Sequence, residues 1–183
     1  HMGRQQALAI HKVLIDKFIA SYSKPPQELI LDFDATDDAV HGRQQGRFFH
    51  GYYDHYCFLP LYVFCGDQLL VSYLRSSKMD GAKHAWAILS LLVKRLRQDW
   101  PDVRIIFRGD SGFCRWRMMS WCDRHDVGYI IGQAKNSRLN GLSADLHEQA
   151  KADFKESGEK QRQFCSISYA ASTWDKKRRV IVK

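Results

Sequence analysis

The stretch Glu28-Leu29-Ile30-Leu31-Asp32-Phe33-Asp34 decides the fold. It is short, apolar, preceded by Pro25-Pro26 and closed by acids, the signature of a buried strand whose C-terminal end carries carboxylates. Residues 103–107 repeat that signature and end in Arg108-Gly109-Asp110. Between the two, residues 82–98 place Ala85, Ile88, Leu89, Leu92 and Leu96 on one helical stripe. Lys94, Arg95 and Arg97 sit near its C-terminus, where the helix dipole favours cations, and Pro101 forbids continuation. A strand–helix–strand crossover is right-handed and returns the second strand parallel to the first.

Asp34 and Asp110 would then end neighbouring parallel strands at one edge of the sheet, where ligands bind in sheets of this kind. Adjacent strands lie about 4.8 Å apart, so two carboxylates come within reach of a shared cation. Anions that close repel unless a proton or a metal intervenes, and an oxygen-only site favours Mg²⁺ or Mn²⁺ over zinc. Taken singly, a strand-end aspartate is a routine turn former or helix cap. Asp32 points to the same face as Asp34, so one of them is expected on the metal and the other beside a basic group. Asp37 and Asp38 read as solvated loop acids.

Outward from this centre, residues 5–22 carry Ile10, Leu14 and Phe18 in one row, an amphipathic helix. Residues 35–54 are polar and read as a long loop, a length that usually serves function. Residues 56–65 and 68–75 are separated only by Gly66-Asp67, which predicts a hairpin. Ser111 is the expected cap of a helix to about His125, with Met118, Trp121 and Cys122 inward, followed by a strand over 127–133. Beyond Ala134 the chain turns polar, with a short helix expected over 143–154 and strands over 163–170 and from 178. The expected organisation is an N-terminal helix with a tag scar (His1-Met2) over 1–27, a core over 28–134, and the start of a β-rich segment over 135–183.

The chain has 183 residues, enough for one sizeable core. Its 28 Lys and Arg exceed its 20 Asp and Glu, a net charge of +8 that suits a polyanionic partner. No run of 18 apolar residues can span a bilayer and no secretory signal opens the chain, so a cytoplasmic location is expected. The five cysteines form no C-x-x-C pair, and His50, His55 and Cys57 lack a fourth ligand at finger spacing. The cysteines read as buried small hydrophobes.

Three groups of residues carry a resemblance: Leu31-Asp-Phe-Asp-Ala-Thr-Asp37; His41-Gly-Arg-Gln-Gln-Gly46 with Gly51-Tyr-Tyr-Asp-His55; and Arg108-Gly-Asp-Ser-Gly-Phe-Cys114. With Leu59-Pro-Leu-Tyr-Val-Phe-Cys-Gly66 and Trp100-Pro-Asp-Val-Arg104, they resemble bacterial insertion-sequence transposases of the DDE type, in the group named after insertion sequence thirteen-eighty. The likeness runs from about Glu28 to Arg138. It implies a ribonuclease H-like α/β fold, a mixed sheet of three antiparallel strands and then parallel ones, flanked by helices. It also implies that Asp34 and Asp110 are the first and second catalytic carboxylates. The family's third acid, a Glu on a later helix, has no match here, and residues 135–183 resemble the start of the β-rich insertion that precedes it. The chain therefore reads as incomplete and inactive by itself.

The implied chemistry is cleavage and strand transfer of DNA by two metal ions, Mg²⁺ or Mn²⁺. The expected partner is double-stranded DNA, both element ends and target, bound by a homodimer assembled on it, with no membrane. Arg43, Arg47, Lys78, Arg115, Lys135 and Arg138 flank the strand ends as candidate phosphate contacts. Trp116, Tyr52 and Tyr53 could stack on bases, although core or rim packing is the commoner use of such residues. Two other readings stay open: a ribonuclease H-like nuclease without strand transfer, and a non-catalytic DNA-binding remnant.

Overall fold

The structure, a computed structural model, describes residues 4–183; the tag residues His1-Met2 lie outside them. Helix α1 (Arg4–Ala20) precedes β1 (Glu28–Ala35), in which Leu29, Leu31 and Phe33 are buried while Ile30, Asp32 and Asp34 keep some exposure. That alternation places the core on one face of the strand and the acids on the other. Strands β2 (Asp38–Ala39), β3 (Phe48–His50) and β4 (His55–Phe58) follow, then the hairpin β5 (Leu61–Cys65) and β6 (Gln68–Tyr73). Helix α2 (Ala85–Asp99) leads to β7 (Arg104–Gly109), a 3₁₀ turn (Ser111–Phe113), α3 (Trp116–Arg124) and β8 (Val127–Ile131). Helices α4 (Ser137–Leu142) and α5 (Ala144–Ser157) and strands β9 (Cys165–Tyr169) and β10 (Arg178–Val182) complete the described chain.

The main sheet has the order β6-β5-β1-β7-β8. β1 pairs antiparallel with β5 and parallel with β7, and β7 pairs parallel with β8. The crossover through α2 thus returns β7 beside β1 as the apolar pattern requires. On α2, Ala85, Leu89, Leu92, Val93 and Leu96 are buried against the sheet. On α3, Met118, Trp121 and Cys122 face inward. Phe33, Phe107 and Phe113 meet edge to face, with centroids 5.0, 6.2 and 6.2 Å apart. This trio locks the ends of β1 and β7 to the turn that follows.

Several expectations are corrected. Residues 35–54 are not simply a loop: β2, β3 and β4 form a separate sheet of order β2-β4-β3. The segment 56–65 is divided at Leu59-Pro60, because Pro60 has no N–H for a ladder and the Leu59 N–H is taken by the Arg75 carbonyl at 2.8 Å. The Gly66-Asp67 turn does join β5 to β6, with Gly66 at a positive φ of 56°. Helix α2 begins at Ala85 instead of residue 82, since His84 has a left-handed φ of 68° that no helix interior accepts.

Asp110, not Ser111, caps the turn after β7, and α3 starts only at Trp116. Ile10 is 49% exposed on α1; only the last turns reach the core, where Phe18 packs against Tyr22 and Trp100 at 5.2 and 6.1 Å. The polar tail carries two helices where one was expected. Of the cysteines, Cys57, Cys65 and Cys122 are buried, while Cys114 and Cys165 are only partly so.

The chain divides into two compact units at Gly132/Gln133. The second unit holds α4, α5 and the antiparallel pair β9–β10, with Leu139, Tyr169 and Arg178 buried. No described helix is long and apolar enough to cross a membrane. Leu31 is fully buried and Leu91 is 65% exposed. Leu31→Ala is therefore expected to destabilise by about 2–5 kcal/mol, and Leu91→Ala by less than about 0.5 kcal/mol. Urea unfolding checks both; equal losses would contradict the assigned faces.

Candidate active site

The parallel ladder between β1 and β7 runs from Glu28↔Arg104 to Phe33↔Gly109. Beyond the last pair of that ladder, Asp34 is the next residue of β1, where it partners Tyr62 of β5, and Asp110 directly follows the end of β7. Both are exposed. Asp34 makes no hydrogen bond or ion pair among the described residues. Asp110 Oδ1 accepts the Gly112 N–H at 2.8 Å and so caps the 3₁₀ turn. Its Oδ2 takes no hydrogen bond among the described residues. Turn former and free carboxylate oxygen therefore coexist in one side chain.

Asp32, two residues earlier on the same face, is register partner to Arg108. Arg108 Nε and Nη2 donate to its two oxygens as a bidentate pair. The pairing raises the Arg108 pKa, chiefly through the hydrogen bonds that Arg108 donates to Asp32. The basic partner expected for one of the two aspartates thus belongs to Asp32, and Asp34 is left open.

An open cleft of about 160 Å³ adjoins Asp110, lined also by His50, Tyr52, Tyr53, Gly81, Gly112 and Phe113. Burial, and then the negative charge of Asp37, Tyr52, Asp34 and Asp110, pushes the Tyr53 hydroxyl above its ordinary value. Tyr53 thus senses both strand-end carboxylates, and it is a neutral phenol at neutral pH. His55 Nε2 lies 2.7 Å from Asp37 Oδ2, so Asp37 is not the free loop acid expected. The His50 and Tyr53 rings lie 4.9 Å apart. No group of three or more His, Cys, Asp or Glu able to hold a metal occurs among the described residues.

Behind the cleft, Arg75 is 3% exposed. It donates to the carbonyls of Leu59 (2.9 Å), Gly81 (3.1 Å) and Lys83 (2.6 Å), tying the crossover to the end of the β2–β4 sheet. Burial lowers its pKa.

Of the candidate phosphate contacts, Arg43 is exposed in the segment between β2 and β3. Arg47 stacks over the Tyr56 ring at 4.5 Å and the Lys78 ammonium over the Phe48 ring at 3.9 Å. Arg115 Nη2 lies 2.7 Å from Asp80 Oδ2, an exposed pair of little energetic weight. Lys135 and Arg138 belong to the second unit, where Arg138 lies over the Tyr169 ring at 5.8 Å. Trp116 is half-buried, whereas Tyr52 is 85% exposed. His50 and Gly81 were missed as cleft residues. The strands β3 and β4 of the hairpin that brings His50 here are three and four residues long, too short to signal it by period.

A mixed sheet of this order and polarity, flanked by helices, is a ribonuclease H-like fold. The sequence profile of the transposase DDE domain, group 1, matches residues 1–183, and the chain belongs to that family. Among solved structures, it is similar to the piggyBac transposase synaptic complex with hairpin DNA, with 11% identity and a TM-score of 0.45 over 86% of this chain and 33% of that one. It is also similar to the catalytic domain of Mos1 mariner transposase (12%, 0.41, 89% and 78%). A third similar structure is the HTLV-2 integrase catalytic core domain in complex with magnesium (10%, 0.32, 74% and 80%). The chain spans about a third of the piggyBac chain it matches. No curated protein sequence matches it.

Gly132 closes the site from behind. A Cβ there would lie 2.8 Å from the Ser111 nitrogen and 3.1 Å from the Asp110 carbonyl carbon. Gly132→Ala must push the Asp110 backbone outward, with an expected cost of about 1–3 kcal/mol. Thermal unfolding together with the amide shifts of Asp110 to Gly112 would test this, and unchanged values of both would refute the contact.

Proposed function

We propose that this domain performs metal-dependent DNA cleavage and strand transfer for a bacterial insertion sequence of the thirteen-eighty group, with Asp34 and Asp110 as its first two carboxylates. The observation that carries the reading is the β1–β7 register, whose last pair, Phe33↔Gly109, is followed in sequence by Asp34 on one strand and Asp110 on the other. The donor set fits a hard cation: Asp34 is unpaired, Asp110 keeps one oxygen, and both are reachable by solvent. Asp34 and Asp110 would hold Mg²⁺ or Mn²⁺, ions that retain several waters and accept phosphate oxygens alongside one or two carboxylates. The bound ion supplies Lewis-acid stabilisation of charge developing on the phosphate.

The chain's own residues do the rest. The Asp32–Arg108 pair fills the sheet face behind Asp34 and holds a cation beside an otherwise anionic strand end. The Gly112 N–H fixes the rotamer of Asp110. Arg43, Arg47, Lys78 and Arg115 orient the phosphate backbone toward the cleft, and Lys135 and Arg138 are phosphate contacts of the second unit by itself. The DNA-bound form is a homodimer, in the bacterial nucleoid. In this reading residues 28–134 are the ribonuclease H-like core and 135–183 belong to a β-rich insertion.

Asp34→Asn and Asp110→Asn should each lower Mn²⁺-dependent cleavage by about 100-fold or more, while Asp32→Asn keeps most of it. These variants belong in a longer chain that supplies the third acid; the present chain alone should be slower by a similar factor. Loss at Asp32 with normal activity at Asp34 would reverse the assignment. A joining assay with a 3′-hydroxyl end separates strand transfer from simple hydrolysis.

Duplex binding without metal should weaken with salt. Neutralising about four phosphates, through Arg43, Arg47, Lys78 and Arg115, implies roughly a 100-fold loss of affinity between about 50 and 200 mM salt. Filter binding across that range checks it; a flat profile would remove these residues from the interface.

A further inference from the structure

The hairpin joining β3 to β4 ends in a tightly fixed tip. The N–H groups of Tyr53 and Asp54 both donate to the His50 carbonyl, at 3.1 and 2.9 Å, and Asp54 takes a left-handed φ of 57°. On this tip Tyr52 is 85% exposed, the most exposed large apolar side chain among the described residues. It contributes nothing to the core. Its ring stands at 87° to that of Tyr53, with centroids 5.0 Å apart, and Tyr53 in turn packs on His50. A rigid backbone and a chain of ring contacts thus hold an aromatic side chain out in solvent.

The location gives that side chain a use. Tyr52 lines the same cleft as Asp110. Two cations, Arg47 and Lys78, are held on rings of the same small sheet, over Tyr56 and Phe48. Aromatic side chains interleaved with cations along a groove are how proteins bind unpaired nucleic-acid strands: phosphates meet the cations and bases stack on the rings. One side chain at a cleft rim is far too little area for a stable protein interface, which takes about 800 Å² per partner.

We propose that Tyr52 is a stacking platform for an unpaired DNA base next to the phosphate held at Asp34 and Asp110. This rests on the functional reading above and adds to it the form of the substrate, a strand end whose terminal bases have left the duplex. Stacking is tolerant of base identity, so Tyr52 selects for unpaired structure and not for sequence. A base seated there would also keep the strand from sliding through the cleft.

The test compares two probes with the full 183-residue chain in metal-free buffer. One is a blunt duplex; the other is the same duplex with a short single-stranded 3′ end carrying one 2-aminopurine. The overhang probe is expected to bind about ten-fold or more tighter than the blunt one, with quenching of the 2-aminopurine on binding. Tyr52→Ala should erase both the preference and the quenching while leaving blunt-duplex affinity unchanged, and Tyr52→Phe should retain both. Quenching and preference that persist in Tyr52→Ala would overturn the platform, as would equal binding of the two probes by the unmodified chain. Either result can stand with cleavage that still depends on Asp34 and Asp110, in which case only the platform falls. Failure to bind either probe would sink the functional reading along with it.

Discussion

Strand β1 is paired on both edges, parallel to β7 along Glu28 to Phe33 and antiparallel to β5 along Asp32 to Ala35, so Asp32 and Phe33 are held from two directions. Burial adds a third hold. Leu29, Leu31 and Phe33 each gain about 1.5–3 kcal/mol from leaving water, and all three face one side. A slip of one residue would expose that set and drive Asp32 and Asp34 into the core. The same register that satisfies the apolar face therefore also sets Asp32 against Arg108 and ends one residue short of both Asp34 and Asp110.

The turn after β7 is fixed by crowding as much as by bonding. Phe113 folds back onto Phe33 and Phe107, and at Gly109 an added Cβ would come within 3.0 Å of the Phe113 ring. Gly112 sits against Asp110 Oδ1 and Gly132 against the Asp110–Ser111 backbone. Glycine is needed at these positions for close approach, not for unusual backbone angles, since none has a positive φ. The carboxylate of Asp110 is thereby placed by its surroundings before any ligand arrives, a condition for a site whose ligands must be pre-set.

Much of this was readable from residues alone. The apolar runs of β1 and β7 and the stripe on α2 imply the crossover, and the acids stand at the strand ends where the apolar runs stop. What could not be read depended on partners distant in sequence. The residues alone left Asp32 and Asp34 open and only the resemblance pointed to Asp34; that Arg108 is the partner of Asp32 depends on the register. The sheet β2-β4-β3 went unseen because its strands span only two to four residues, too short for a period to show. The exposure of Ile10 reflects how far along α1 the core extends, which the helical row cannot tell. Asp110 outcompetes Ser111 as cap because its carboxylate oxygen reaches the Gly112 N–H.

Ala35 and Leu61 are register partners, the last pair of the β1–β5 ladder. The chain therefore leaves the main sheet and re-enters it at touching points, and residues 36–60 form an excursion with a closed mouth. Closing such an excursion costs entropy that grows only with the logarithm of its length. The fold can accept a longer, shorter or differently shaped hairpin there with little penalty to the core, provided that Arg75 still finds the Leu59 carbonyl. The strand ends that carry Asp34 and Asp110 and the hairpin that carries Tyr52 are thus joined as frame and replaceable fitting. A lineage of such domains could exchange the fitting while the strand ends stay where the frame holds them.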